Sequence, residues 1–384
     1  MPVTIGTSTD GYATDFMPKR KVLAIGIYYF DFYSDGVNMG YRTRLIAGGA
    51  WSAFTIIRAC TEGRMFSIRY RNIGGVDYVY YTYSSSVVNT PVLFCRGTVV
   101  GASITWDPLG PYTARAGSVL YAYYYPDLEI AIDNSVYVSY SQGSAAQHRV
   151  MMNYNPNNDG SGIWSQVAVT PNELGADYFN VGLVALSNNN IYIGYARSIQ
   201  LRGKLWTGAL GAEEIITGNL QVVFFGMITD GGTDVAVAWS ETGTFSKKFN
   251  LRDIVAGWGV EETIFDAGGS SRYTGGVHLG IDLATGQYVA IWVEDGRTSD
   301  SAIQYSVRNG AWGVVVNLAT GESYVFWHSC IIMENALNDI FGVTWTCQEL
   351  SPYNVRFDEI NLAPPPAFKA GLHPSKILPI ILDD

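Results

Sequence analysis

One phrase recurs along the chain and constrains its fold more than any other feature. It is an alternating, aromatic-rich strand, a turn, a second strand, then a Gly or small residue and a Trp. The clearest copy begins at Gln287 and reads QYVAIWVEDG, SAIQYSVRNGA and WGVVVNL. Others open with VYVSYSQG at Val136, DVAVAWSETG at Asp234, IYIGYAR at Ile191, VDYVYYTY at Val76 and IYYFDFYSDG at Ile27. Trp51, Trp106, Trp164, Trp206, Trp258 and Trp312 mark six copies at separations of 42 to 58 residues. A period of about 40–50 residues holding four strands is the size of a propeller blade. Upstream of most copies lies one further strand, such as MFSIRYRN or DLEIAID, which is expected to line the axis, with the Trp-headed strands outermost. The Trp side chains are expected to pack between blades.

A seventh copy, DIFGVTWT with NVRFDEINL, lacks a Trp-headed strand and runs into Ala363-Pro364-Pro365-Pro366, which cannot donate ladder hydrogen bonds. The first copy is preceded by a spare segment, Pro2 to Thr7. An open ring leaves sheet edges unpaired, and closing it removes them. The expectation is therefore an all-β, seven-bladed β-propeller with four-stranded antiparallel blades over residues 1–362. Its N-terminal strand completes the last blade, and a Pro-rich tail follows at 363–384.

Composition agrees with many short strands and tight turns. There are 26 Tyr and 42 Gly, and only 15% of residues are charged, against about 25% in an ordinary globular protein. The net charge of −10 and the lack of any Lys/Arg run exclude a nucleic-acid-binding face. No apolar run approaches the roughly 18 residues that would span a bilayer, so no membrane insertion is expected. The N-terminal residues lack the charged and apolar regions of a signal peptide. This leaves a cytosolic chain, a trimmed one, or one that reaches an exterior surface by another route, such as a virion. Cys60, Cys95, Cys330 and Cys347 have no metal-ligand spacing, and no cofactor or metal site is expected. They read as buried free thiols, with a Cys330–Cys347 bridge as the alternative.

The segment Asn158-Asp159-Gly160-Ser161-Gly162-Ile163-Trp164 resembles a loose Asp-box, the S-x-D-x-G-x-T-W turn of sialidase-like (BNR-type) propellers. Gly48-Gly49-Ala50-Trp51 and Ser306-Val307-Arg308-Asn309-Gly310-Ala311-Trp312 are similar to worn copies. The texture of FDFYSDGVNMGYRTR is similar to propeller proteins of phage and archaeal-virus surfaces. The resemblance implies the propeller architecture. It does not imply sialidase activity, because the Asp-box is a turn-stabilising device away from the active face of those families, and the F/Y-R-I-P signature of their first Arg is missing. Arg20, after Pro18-Lys19, stands in the wrong order for it.

Several residues are nevertheless candidates for a site. Arg69 and Arg71 alternate with Tyr70 on an inner strand, so both face one way and can meet an anionic ligand near the axis or pair with carboxylates between blades. Glu129, Asp133, Asp282, Glu294 and Asp295 are the acidic candidates for two-carboxylate chemistry, with no pair singled out. His278 and His328 fall on inner strands of neighbouring blades. Tyr123, Tyr124 and Tyr125 form a run whose flat rings suit sugar stacking. In the tail, Ile377, Leu378, Ile380, Ile381 and Leu382 form a sticky segment expected to dock on another subunit or on the propeller itself. The functional expectation is a non-enzymatic binding or structural propeller, virion- or tail-associated, contacting a host glycan or protein receptor. The alternative is a carbohydrate-active hydrolase or lyase.

Overall fold

The computed structural model describes residues 2–14, 20–144, 147–174, 178–197, 200–217, 224–241, 244–266, 275–294, 300–325, 329–348 and 350–362. The candidate residues His328 and Asp295 and the tail 363–384 lie outside these residues. The alternating aromatic segments form seven antiparallel sheets, each of four main strands, four of them with one additional short strand. The seven sheets are the blades of a propeller. Their innermost strands are Val22–Ile25, Phe66–Ile73, Ala122–Ile130, Tyr178–Ala185, Phe225–Thr229, His278–Asp282 and Ile331–Ile332. Among the described residues no helix is long and apolar enough to cross a membrane.

The ring closes as the leftover N-terminal segment predicts. Blade 7 is built from Ile331–Ile332, Ile340–Cys347, Tyr353–Asn361 and, as its outer strand, Val3–Ser8. Val3 pairs with Phe357 and Ser8 with Tyr353, with a register shift between Thr4 and Gly6. The strand is anchored by Ile5, which is 2% exposed in the core shared by blades 6, 7 and 1.

The apolar positions of each strand face the neighbouring blades, so the core is a series of inter-blade layers. Separate clusters fill the interfaces of blades 1 and 2, 2 and 3, 3 and 4, 4 and 5, and 5 and 6. The marker Trp residues sit in these layers. The rings of Trp51 and Phe357, Trp164 and Phe94, Trp206 and Tyr154, Trp258 and Tyr192, and Trp312 and Phe249 meet across adjacent blades. Trp206 departs from the expected outer-strand position, because it ends the third strand of blade 4, Gln200–Trp206. The outer strand there is only Glu214–Ile215. The four Cys are free and buried.

Strand direction assigns the connections to two faces. Turns between first and second strands, and between third and fourth, lie on one face, called here the turn face. Connections between blades lie on the other. The Asp-box-like segment is on the turn face of blade 3 and acts as a turn clamp. Asp159 Oδ1 accepts from the Ser161 amide at 2.8 Å, and Trp164 Nε1 donates to the Gly160 carbonyl at 3.0 Å.

Candidate functional site

The inner strand of blade 2 alternates about its pleat. Phe66, Ile68 and Tyr70 pack toward blade 1, while Ser67 and Arg69 reach toward blade 3. Arg71, two residues on, shares the second face. The inner strand of blade 3 answers with Asp127 and Glu129. Ser67 Oγ donates to Asp127 Oδ1 at 2.7 Å, and Asp127 Oδ2 accepts from the Leu183 amide of blade 4 at 3.0 Å. Arg69 Nε donates to Glu129 Oε1 at 2.7 Å. Across the axis, Arg69 Nη1 pairs with Glu334, which follows the inner strand of blade 7. Arg20, just before the inner strand of blade 1, grips Glu334 through Nε at 2.8 Å and Nη2 at 3.1 Å. Its Nη2 also lies 3.7 Å from Glu129 Oε2.

Two arginines and two glutamates from four blades thus neutralise one another at the axis. The Arg20 and Glu129 side chains are 3% and 2% exposed, those of Arg69 and Glu334 12% and 13%. Burial alone would raise the Glu334 carboxyl, but Arg20 and Arg69 outweigh it and hold it at about 2. Burial raises the Glu129 carboxyl against the pull of Arg69 and Arg20. Burial opposes the charge of Arg20, and Glu334 and Glu129 override it, so the guanidinium stays charged.

Beside this cluster opens a cavity of about 400 Å3 lined by the inner strands of blades 7, 1 and 2, with Glu129 in its wall. Arg71 and Asn72 line it, with Leu23, Ala24 and the chain from Met333 to Leu337. Arg71 is the only charged lining side chain with no hydrogen bond or ion pair among the described residues. Asn72 is tied back, its Nδ2 donating to Asp77 Oδ1 at 2.6 Å.

The other sequence candidates are dispersed. Tyr123 is 1% exposed and packs edge-on against Tyr140, and its hydroxyl donates to the Ala116 carbonyl at 3.0 Å. Tyr124 and Tyr125 are half-buried on the same inner strand, where Tyr125 takes a positive φ of 51°. The run is therefore the start of blade 3's inner strand, with a register shift between Tyr124 and Asp127. His278 is buried in the inner strand of blade 6. Asp133 and Asp282 hold turns, through the Ser135 amide and the Ala284 amide respectively. Glu294 is buried near Lys247, whose ammonium burial lowers to about 7. Lys247 Nζ donates to Ser240 Oγ at 2.8 Å and the Gly275 carbonyl at 3.1 Å. No group of three or more His, Cys, Asp or Glu among the described residues is arranged to hold a metal ion.

Sequence reasoning missed Arg20 and Glu334. Glu334 carried one signal, a lone charge ending the apolar run Cys330-Ile331-Ile332-Met333.

No family model and no curated protein matches the sequence. Solved structures do match in fold. A polysaccharide lyase, Uly1, has a TM-score of 0.54 at 11% identity, covering 92% of each chain. The α-L-arabinofuranosidase Arb93A of Fusarium graminearum has a TM-score of 0.52 at 12% identity, covering 94% of this chain and 97% of its own. A Hadza microbial sialidase, Hz136, has a TM-score of 0.48 at 9% identity, covering 85% and 74%. What the chain shares with the lyase and the arabinofuranosidase is the architecture.

Proposed function

We propose that the protein is a non-catalytic carbohydrate-binding propeller whose axial cavity takes an anionic saccharide. The observation that carries this is Arg71, a cation facing an open cavity whose other charges are already spent on each other. A planar guanidinium suits a sugar carboxylate or sulfate bidentately. The lyase and the arabinofuranosidase that share the fold act on saccharides by their names, which supports the ligand class. The locked state of Glu129 and Glu334 supports binding over turnover. Glycosidase chemistry needs one carboxyl free to give a proton and another free to attack or activate water. Both of these face guanidinium groups.

The setting proposed for this binder is an exterior surface such as a virion or its tail, contacting a host glycan. The low charge and Tyr/Gly-rich composition support it, and recovery of the chain in purified particles would test it. A second reading, a hydrolase or lyase, is favoured by one feature. Glu129 and Glu334 have carboxyls pushed in opposite directions, the arrangement that separates an acid from a base. The experiment is an array of neutral, carboxylated and sulfated oligosaccharides probed with the parent and with Arg71→Ala. The expected result is binding confined to anionic members and lost in the variant. Equal binding by both proteins refutes the assignment of Arg71.

A further inference from the structure

We propose that the protein binds the C-terminal end of an apolar peptide between blades 2 and 3, on the face opposite the turns. Arg149 and Gln142 take the terminal carboxylate and the last peptide unit. Val87, Val88, Val119 and Leu120 receive the aliphatic side chains of the bound peptide.

The first observation is a buried amide with nothing to bond. Val136, Val138 and Tyr140, on the second strand of blade 3, pack toward blade 2, and Gln142 continues that face. It is 1% exposed, yet neither its Nε2 nor its Oε1 has a hydrogen-bond partner. Buried polar groups are almost always paired, and one that is not needs a reason beyond packing. The second is an unpaired cation beside it. Arg149 is the ladder partner of Gln142 on the third strand, so the two side chains share a face. Among the described residues Arg149 has no ion pair and no hydrogen bond. Its guanidinium lies 6.0 Å from the centroid of the Tyr121 ring. With no polar contact to hold it, the side chain can turn toward an anion and uncover the amide next to it.

The third is an aliphatic surface. The loop between the second and third strands of blade 2 lies against the connection from blade 2 to blade 3, and the Asn89 amide of the one donates to the Ser118 carbonyl of the other at 2.8 Å. Together they expose Val87 at 56%, Val88 at 50%, Val119 at 75% and Leu120 at 68%. Loop tips normally carry polar residues, and several exposed apolar side chains grouped on one face mark a contact surface. Leu120 leads directly into Tyr121, so the patch runs up to the guanidinium.

The chemistry selects the occupant. A primary amide whose donor and acceptor are both unmet is complementary to a peptide unit, which presents a C=O and an N–H. A guanidinium forks onto a carboxylate. Aliphatic side chains are covered by apolar groups, and the hydroxyls of a sugar would leave them wet. A carboxylate, a peptide unit and apolar side chains in succession are the C-terminal end of an apolar peptide.

The test is fluorescence anisotropy with the full chain and a labelled peptide ending in Val-Ile-Leu with a free carboxylate. Saturable binding is expected. Amidating the peptide terminus, which leaves the protein untouched, should weaken binding about tenfold or more, and Arg149→Ala should do the same. Gln142→Leu should also weaken it about tenfold while Tm holds or rises, because an unpaired amide gives way to an apolar side chain of similar size. Absence of saturable binding, equal affinity for the acid and the amide, or binding unchanged in both variants overturns the proposal. Displacement of the peptide by an N-acetylated sugar acid at equal concentration assigns the site to a saccharide and also overturns it. The site lies on the other face from Arg71, so its outcome is independent of the ligand assigned to the axial cavity.

Discussion

Replacing Arg69 by Ala removes the side chain that joins blades 2, 3 and 7 across the axis. Glu129, at 2% exposure, is left with Arg20 Nη2 at 3.7 Å as its remaining cation. Glu334 keeps the two-point grip of Arg20. Breaking a buried pair by removing one partner costs about 3–5 kcal/mol, because the surviving charge stays desolvated. The lower end applies, since Arg20 remains. A chain of 384 residues unfolds with an entropy of about 0.8 kcal/mol per degree, so Tm should fall by about 4 °C in calorimetry near neutral pH. The loss should also depend on pH. The folded Glu334 carboxyl is held at about 2, below the ordinary 4.5 of a glutamate, so its stabilising share is complete above 4.5 and disappears as pH falls toward 2. The gap between parent and variant should narrow over that window. A variant that melts within about 1 °C of the parent near pH 7, or a gap that stays constant into acid, refutes the reading of these four residues as a stabilising inter-blade network.

Three further outcomes follow from the geometry. Deleting residues 1–8 removes the outer strand of blade 7 and the burial of Ile5, worth roughly 2–3 kcal/mol before the lost ladder is counted, and should lower Tm by several degrees; a deletion that melts like the parent argues against ring closure by this strand. Gly280→Ala should destabilise the protein in denaturant melts, because its Cβ would lie 2.7 Å from the Met333 carbonyl oxygen, where blades 6 and 7 abut; parent-like stability would mean that contact is loose. Lys247, lowered to about 7 by burial, binds a proton more readily in the unfolded chain, so its share of stability should rise between about pH 7 and 10.5; Lys247→Met should flatten that slope in paired Tm–pH series, and parallel curves would contradict the shift.

The architecture was legible because it rests on local signals that repeat. Alternation within strands, the Trp that recurs between the third and fourth strands of most blades and the spare N-terminal segment define the blades and their closure. Trp206 was displaced because blade 4 has a two-residue outer strand, so the Trp falls at the end of the strand before it. Tyr123 to Tyr125 read as a run suited to sugar stacking, and the structure buries Tyr123 in the inner strand of blade 3. A single irregularity near Tyr125 changes which face the following side chains take, and a one-residue slip of this kind leaves no mark in composition. The pairing of Arg69 and Arg71 on one face was legible from alternation alone. Their different fates were not, since Arg69 is engaged by Glu334, 265 residues away, while Arg71 sits two positions farther along, where the cavity opens. Arg20 and Glu334 are 314 residues apart and meet only when the ring closes.

The central claim is that the axial cavity binds an anionic saccharide and leaves it whole. The direct measurement is to incubate the protein with an anionic oligosaccharide that it binds and to determine by mass spectrometry the length of the recovered sugar. The account predicts intact oligosaccharide after prolonged incubation, with retention on the protein abolished by Arg71→Ala. Shortened products that disappear when Glu129→Gln or Glu334→Gln is introduced would contradict it and assign the pair of carboxyls a catalytic role.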